Sequence, residues 1–241
     1  MGATAVSIPG PLGRGRFLQR YNRFLLQVRL DDTGTAEAVH LPDPGRLREL
    51  LVPGARLWLR PSDSPARKTR WTAALVESPG SGELVSLDTT LPNRLISRAL
   101  RDRALPELGD WRFVRSEVSM GRSRLDFLLS RAGGERMAME VKSVSLVEDG
   151  VGLFPDAVTE RGARHVRELA EIAGTRDWSA SVLFVLQRND GRRIKAARRI
   201  DPRFADALEE AVQAGVQVLG RRCEVGLNQV ELGGPVPVSV G

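Results

Sequence analysis

Near the middle of this 241-residue chain, Asp126 lies in the apolar run Ser123-Arg124-Leu125-Asp126-Phe127-Leu128-Leu129, and Glu140 and Lys142 lie in Met137-Ala138-Met139-Glu140-Val141-Lys142-Ser143. Successive side chains of a strand alternate faces, so Glu140 and Lys142 share one face while Val141 points into the core. Only Arg131 to Arg136, with a Gly-Gly pair, separates the two runs. That is a hairpin connection, and it brings Asp126 beside Glu140. Two carboxylates so close resist joint ionisation unless a cation lies between them. Carboxylate oxygens are hard ligands, and magnesium is their natural guest.

Of the 36 basic residues, only Lys68, Lys142 and Lys195 are lysines and 33 are arginines. Arginine supplies positive charge almost everywhere, so a lysine at 142 marks a place for a compact ammonium with an adjustable pKa. The bland alternative is an exposed Glu140–Lys142 salt bridge worth under about 1 kcal/mol. Further along, residues 152–169 read as a loop followed by a helix over 157–173, with Asp156 as its N-cap after Pro155. Val158, Gly162, Val166, Leu169 and Ala173 form the stripe expected to pack on the sheet. Arg161 and His165, four apart, border that stripe, from where they would reach the carboxylates or a phosphate, or simply stand in solvent.

Five segments carry a resemblance: Gln19-Arg20-Tyr21-Asn22-Arg23-Phe24-Leu25, Leu41-Pro42-Asp43-Pro44-Gly45-Arg46-Leu47, Ser123 to Phe127, Glu140-Val141-Lys142-Ser143-Val144 and Phe154-Pro155-Asp156-Ala157-Val158-Thr159-Glu160-Arg161-Gly162. In that order they resemble motifs of the sugar fermentation stimulation protein A family. The resemblance implies an N-terminal OB-fold domain, a C-terminal domain like the PD-(D/E)XK nucleases, and binding to DNA. It places the nuclease motif on Asp126, Glu140 and Lys142, with Glu117 as the additional acid. Pro42-Asp43-Pro44-Gly45 departs from the Pro-Asn-Thr-Gly that relatives tend to carry.

On this reading Asp126, Glu140 and the Val141 carbonyl hold Mg2+ or Mn2+, and Lys142 serves the attacking water or the transition state. The substrate is a phosphodiester of DNA or RNA. Arg20, Tyr21 and Arg23 in the first domain, and Arg161 and His165 in the second, are the expected nucleic-acid contacts. A rival of another class is a DNA-binding regulator of sugar-metabolism genes that uses the nuclease scaffold without turnover.

With 41% hydrophobic residues the chain can bury one core or two small ones. A single cysteine, Cys223, excludes an intramolecular disulfide and suits a reducing cytoplasm; without a His nearby it reads as inert. No stretch has the pattern of a signal peptide or a membrane span, so the chain reads as soluble and unexported. The net charge of +6 favours a polyanionic partner. Residues 1–85 carry 12 basic and 8 acidic side chains, against 24 and 22 in residues 86–241. A second basic cluster, Arg188, Arg192, Arg193, Lys195, Arg198 and Arg199, is as compatible with a solvated loop as with phosphate contacts.

Strands are expected at 24–30, 35–41, 55–60, 71–77 and 83–88, with a short helix over 45–51 and a polar loop over 61–70. That is the strand count of an OB barrel, in which Tyr21, Trp58 and Trp71 either stack on bases or fill the core. From Leu91 a helix, strands near 112–119, 123–130 and 137–146, the helix at 157–173 and a strand at 181–186 give the order of an α/β sandwich. A helix over 202–214 and a strand over 215–219 follow. The expected division is a barrel domain over 1–85 and a nuclease-like domain over 86–241.

Overall fold

The computed structural model describes residues 4–62, 67–120 and 123–241; residues 63–66 of the expected polar loop and residues 1–3 lie outside the described residues. The chain opens with β1 (Ala5–Ser7) and continues through β2 (Gly13–Asn22), β3 (Leu25–Leu30), β4 (Ala36–His40), β5 (Arg56–Pro61), β6 (Trp71–Glu77) and β7 (Leu84–Ser86). Strands run in the order β4-β3-β2-β5-β6, and β6 closes the ring by pairing in parallel with β4 at Val39↔Trp71 and His40↔Thr72. β7 extends the β6 edge outside that ring.

The barrel thus has five strands, but β2 is one of them and was not among the strands expected. Its inward positions include Gly15, where a Cβ would stand 2.6 Å from Val28 Cγ1. A strand whose inside is glycine shows little apolar alternation in sequence. The helix expected over 45–51 is a single turn, in which the amides of Leu50 and Leu51 both donate to the Leu47 carbonyl. Leu47 has φ of +48°, a left-handed conformation that an α-helix cannot continue.

The second part comprises α1 (Leu91–Arg101), β8 (Arg112–Met120), β9 (Ser123–Ser130), β10 (Arg136–Val144), β11 (Val147–Glu148), β12 (Val151–Phe154), α2 (Glu160–Ala173), β13 (Trp178–Leu186), β14 (Arg193–Ala196), α3 (Pro202–Gln213), β15 (Gln217–Val225), β16 (Gln229–Pro235) and β17 (Val238–Ser239). Its main sheet has the order β1-β16-β15-β13-β10-β9-β8, with β10, β13 and β15 mutually parallel, and β11-β12-β14-β17 form a small second sheet. Parallel central strands buried on both faces read as near-continuous apolar runs, as Val182 to Leu186 does. Ala138 and Val144 of β10 pack into the core under α2 and α3, whereas Met137, Met139 and Val141 pack into the core under α1. This alternation puts Glu140 and Lys142 on the α2 side. Cys223 is fully buried on the α1 side, where burial pushes its thiol up to about 12.

Two further expectations change. Thr159, not Asp156, caps α2, its side chain accepting from the Gly162 amide, and Val158 lies ahead of the helix and is exposed. Strand β1 belongs to the main sheet of the second part through Ala5↔Glu231, Val6↔Val230 and Ser7↔Gln229, so a division at 85/86 is crossed by β1. The two parts also share a core, since Leu75 of β6 packs with α1 and β10 residues. Arg188, 3% exposed, bolts them together: it donates to Ser78 Oγ of the barrel part, to the Ser145 carbonyl, and with two nitrogens to Asp190.

Candidate active site

The β9–β10 ladder runs from Arg136↔Ser130 to Met139↔Phe127 and ends there. One residue beyond, the Asp126 carboxylate takes over as acceptor, with Val141 N donating to Oδ2 at 2.7 Å. Phe127 and Leu129 pack under α1, while Leu125, of the same parity, packs under α2, so β9 turns its faces about Asp126. From α1, Asn93 Nδ2 donates to Asp126 Oδ1 at 2.7 Å. Burial, then the Glu140 charge, raises the Asp126 pKa; the Val141 and Asn93 hydrogen bonds and Lys142 oppose the shift.

Glu140 is 5% exposed and is approached from both sides. Lys142 Nζ lies 2.7 Å from Oε1, and His165 Nδ1 of α2 lies 2.7 Å from the same oxygen. Arg161 Nε, one helical turn back, donates to His165 Nε2 at 3.3 Å. The accepting nitrogen is therefore Nε2, and Nδ1 carries the hydrogen given to Glu140, a tautomer assigned by this network. Among the described residues Glu140 Oε2 is buried without a partner. A buried, orphaned carboxylate oxygen beside a second, half-buried carboxylate is the environment a hard divalent cation relieves. Among the described residues no three His, Cys, Asp or Glu side chains form a metal-ligating group, so such a cation would have two carboxylates, with carbonyl and water completing its shell.

Asp126, Glu140, Val141 and Lys142 are thus brought together as expected. Glu117 lines the same cleft as Asp126, but it is two-thirds exposed, has φ of +56° and pairs with Arg124. His165 is not on a solvated border. It is 3% exposed, because Gly162, Ala163, Val166 and Leu169 set the buried face of α2 around it, so it cannot touch a nucleic acid. Arg161 remains exposed at the outer end of this chain of contacts.

In the barrel part, Tyr21 is 53% exposed at the β2–β3 hairpin, next to exposed Arg23 and Phe24. Arg20 is spent elsewhere: its guanidinium donates to the carbonyls of Asn22, Arg23, Asp43, Gly45 and Arg46, which fills all five of its N–H groups. The loop it grips also docks onto the second part. Arg46 N donates to Asp156 Oδ2 at 2.9 Å, and a Cβ on Gly45 would stand 2.7 Å from that oxygen. The Arg20, Asp43-Pro44-Gly45 and Asp156 motifs are therefore a clamp between the parts, at a distance from the carboxylate chemistry. Trp58 and Trp71 pack against the cores. Of the second basic cluster, Arg188, Arg198 and Arg199 are held by carboxylates.

Asn93 was not singled out in the sequence; it lies 33 residues from the carboxylate it orients. Its only local sign is a polar position on an otherwise buried face of a helix carrying Leu95, Ile96 and Ala99.

Two family descriptions match the chain, an "SfsA N-terminal OB domain" over residues 18–87 and a "Sugar fermentation stimulation protein RE domain" over residues 90–229. A sugar fermentation stimulation protein homolog of Shouchella clausii is 44% identical over 230 residues, covering 95% of this chain and 98% of that one. Its counterpart in Geobacter sulfurreducens is 41% identical over 235 residues, covering 97% and 99%. The solved structure of Pyrococcus furiosus SfsA in complex with Ca2+ superposes with a TM-score of 0.86 at 28% identity, covering 99% of this chain and 100% of that chain. The architecture is an OB-fold barrel followed by an α/β sandwich. No helix among the described residues is long and apolar enough to cross a membrane. Matched in both its parts, and at over two fifths identity along nearly all its length, the chain belongs to the sugar fermentation stimulation protein family.

Proposed function

We propose that the protein binds nucleic acid and hydrolyses its phosphodiester bonds at Asp126, Glu140 and Lys142. The observation that carries this reading is Glu140 Oε2, buried and unpaired beside the carboxylate of Asp126. A cation, Mg2+ or Mn2+, held there by Asp126, Glu140 and the Val141 carbonyl would polarise the phosphate and acidify a water. The Pyrococcus furiosus relative, solved with Ca2+, supports a site for an oxygen-liganded ion.

The chain's own groups do the positioning. Asn93 and the Val141 amide fix both oxygens of Asp126. His165 and Lys142 hold Oε1 of Glu140, which leaves Oε2 as the free ligand. Lys142, its side chain 13% exposed, keeps an ammonium at the mouth of the site where negative charge accumulates in phosphoryl transfer. Glu117 is available at the rim for a second ion, and Tyr21, Arg23 and Arg161 are exposed to meet the strand. DNA is the partner the family resemblance implies, with RNA as a second phosphodiester source, and the lone buried thiol suits work in the cytoplasm.

The test incubates labelled single- and double-stranded DNA and RNA with the protein in Mg2+, Mn2+ or EDTA. Wild type should cut in Mn2+ or Mg2+ and not in EDTA, Asp126→Asn should lose both ion binding and cutting, and Lys142→Ala should keep ion binding and lose cutting. If wild type and Asp126→Asn bind the ion equally and every substrate stays intact, the hydrolytic reading falls, and a DNA-binding regulator takes its place.

A further inference from the structure

A recess of about 380 Å3 opens where the barrel meets the first turn of α1. One wall is apolar, built from Ile8, Pro42 and Ala74, and the rim carries Arg60, Arg67, Arg94 and His40. Among the described residues Arg60 makes no ion pair, and Arg67 spends one nitrogen on Thr72 Oγ1 at 2.9 Å. His40 Nδ1 is buried without a partner among the described residues, and burial followed by the Arg67 and Arg60 charges lowers the His40 pKa. Among the described residues that line the recess, Asp88 is the one acid beside these cations. The acid nearby, Asp88, is consumed: Oδ1 accepts from Thr90 N and Oγ1, and Oδ2 pairs with Arg94. The first turn of α1 contains no acidic residue, so its partial positive charge adds to the field.

The recess adjoins the cleft of about 630 Å3 that Asp126 lines, with Thr89, Thr90 and Arg94 lining both. An apolar wall facing a cationic rim matches a base and its phosphate. A space of this size admits one nucleotide, whereas a duplex presents a major groove about 12 Å wide and keeps its bases stacked inside. We infer that the recess takes one unpaired nucleotide of the strand being cut, base against Ile8 and Pro42 and phosphate toward Arg60 and Arg67, so that the substrate class is single-stranded nucleic acid. This rests on the hydrolytic reading above and specifies its substrate.

The test is done in EDTA, so that binding is read without cutting. Fluorescence anisotropy of an end-labelled oligo-dT and of a blunt duplex of equal length should show the single strand bound at least about tenfold more tightly at moderate salt. Arg60→Gln and Arg67→Gln, each checked for an unchanged melting temperature, should each reduce the salt slope on the single strand by about 0.7. Titration of wild type with thymidine monophosphate, followed by NMR, should shift the His40 ring signals and leave those of buried His165 in place. Equal or tighter duplex binding, or a His40 signal indifferent to thymidine monophosphate, would overturn the assignment. A single-strand preference together with no cutting in Mn2+ would sustain the recess and sink only the hydrolytic reading.

Discussion

His165 Nδ1 lies 2.7 Å from Glu140 Oε1, inside the protein, on the opposite side of the carboxylate from solvent. Because Lys142 binds the same oxygen, removing the imidazole lets Glu140 rotate toward a single partner. His165→Ala is expected to cost about 1–3 kcal/mol of stability, from the lost hydrogen bond and the space left behind. It should also weaken Mn2+ binding measured by calorimetry at a pH where the fold is intact. His165→Asn, whose amide can offer a donor near the same place, should recover part of the ion affinity. An ion affinity untouched by His165→Ala would mean that the imidazole only fills space.

Asp43 has its pKa pushed up to about 6 by burial, with the Gly45 amide opposing the shift and the Asp156 charge adding to it. Its folded pKa exceeds the unfolded value near 3.8, so the folded state binds the extra proton between these two pH values. Stability should therefore rise as pH falls through about 6 and level off below about 4. Asp43→Asn, the side chain found in the resembling motif, keeps the oxygen that accepts from Gly45 N and removes the buried charge. It should stabilise the protein by up to about 3 kcal/mol at pH 7 and by nothing near pH 3.5, read from urea unfolding at the two pH values.

Arg188→Ala should cost about 3–5 kcal/mol, because it strips a buried cation from Asp190, Ser78 and the Ser145 carbonyl at once. Tryptophan fluorescence and circular dichroism should still report one common transition, since the barrel and sandwich share their packing. Two separated transitions in the wild type would show that the junction is weaker than its contacts suggest.

Arg20→Ala should lower stability and leave the salt dependence of nucleic-acid binding unchanged, as its donors are all committed to carbonyls. Arg23→Ala, at an exposed position of the same hairpin, should do the reverse and reduce the salt slope by about 0.7 on single strands if it meets a phosphate. An Arg20→Ala protein of normal stability with a shallower slope would reverse these two assignments.

The gathering of Asp126, Glu140 and Lys142 was legible because its information is local. A two-residue period and a short hairpin suffice to gather Asp126, Glu140 and Lys142, and the apolar runs around them suffice to make strands. The role of His165 was not legible, since residues at 162, 163, 166 and 169 allow the helix to be rotated by a fraction of a turn, and only packing against the sheet sets which border is buried. Strand β2 hid because Gly15 contributes space where alternation would show a side chain. Asn93 and the recess at Arg60 and Arg67 come from the docking of distant segments, for which no short window of sequence carries a signal. Arg20, expected on nucleic acid, shows the converse: a charge in a basic stretch can be wholly absorbed by backbone oxygens.

Strand β1 is joined to the rest of its sheet through β16 alone, at residues 229–231. During synthesis β1 is made long before β16, the edge with which it pairs, while the barrel strands next to it can already close. The sheet that carries Asp126 and Glu140 is therefore completed by its earliest and latest pieces meeting, a long-range closure that comes late in folding. A nascent chain therefore holds Asp126 and Glu140 in an unfinished sheet until β16 has been made and β1 has docked on it.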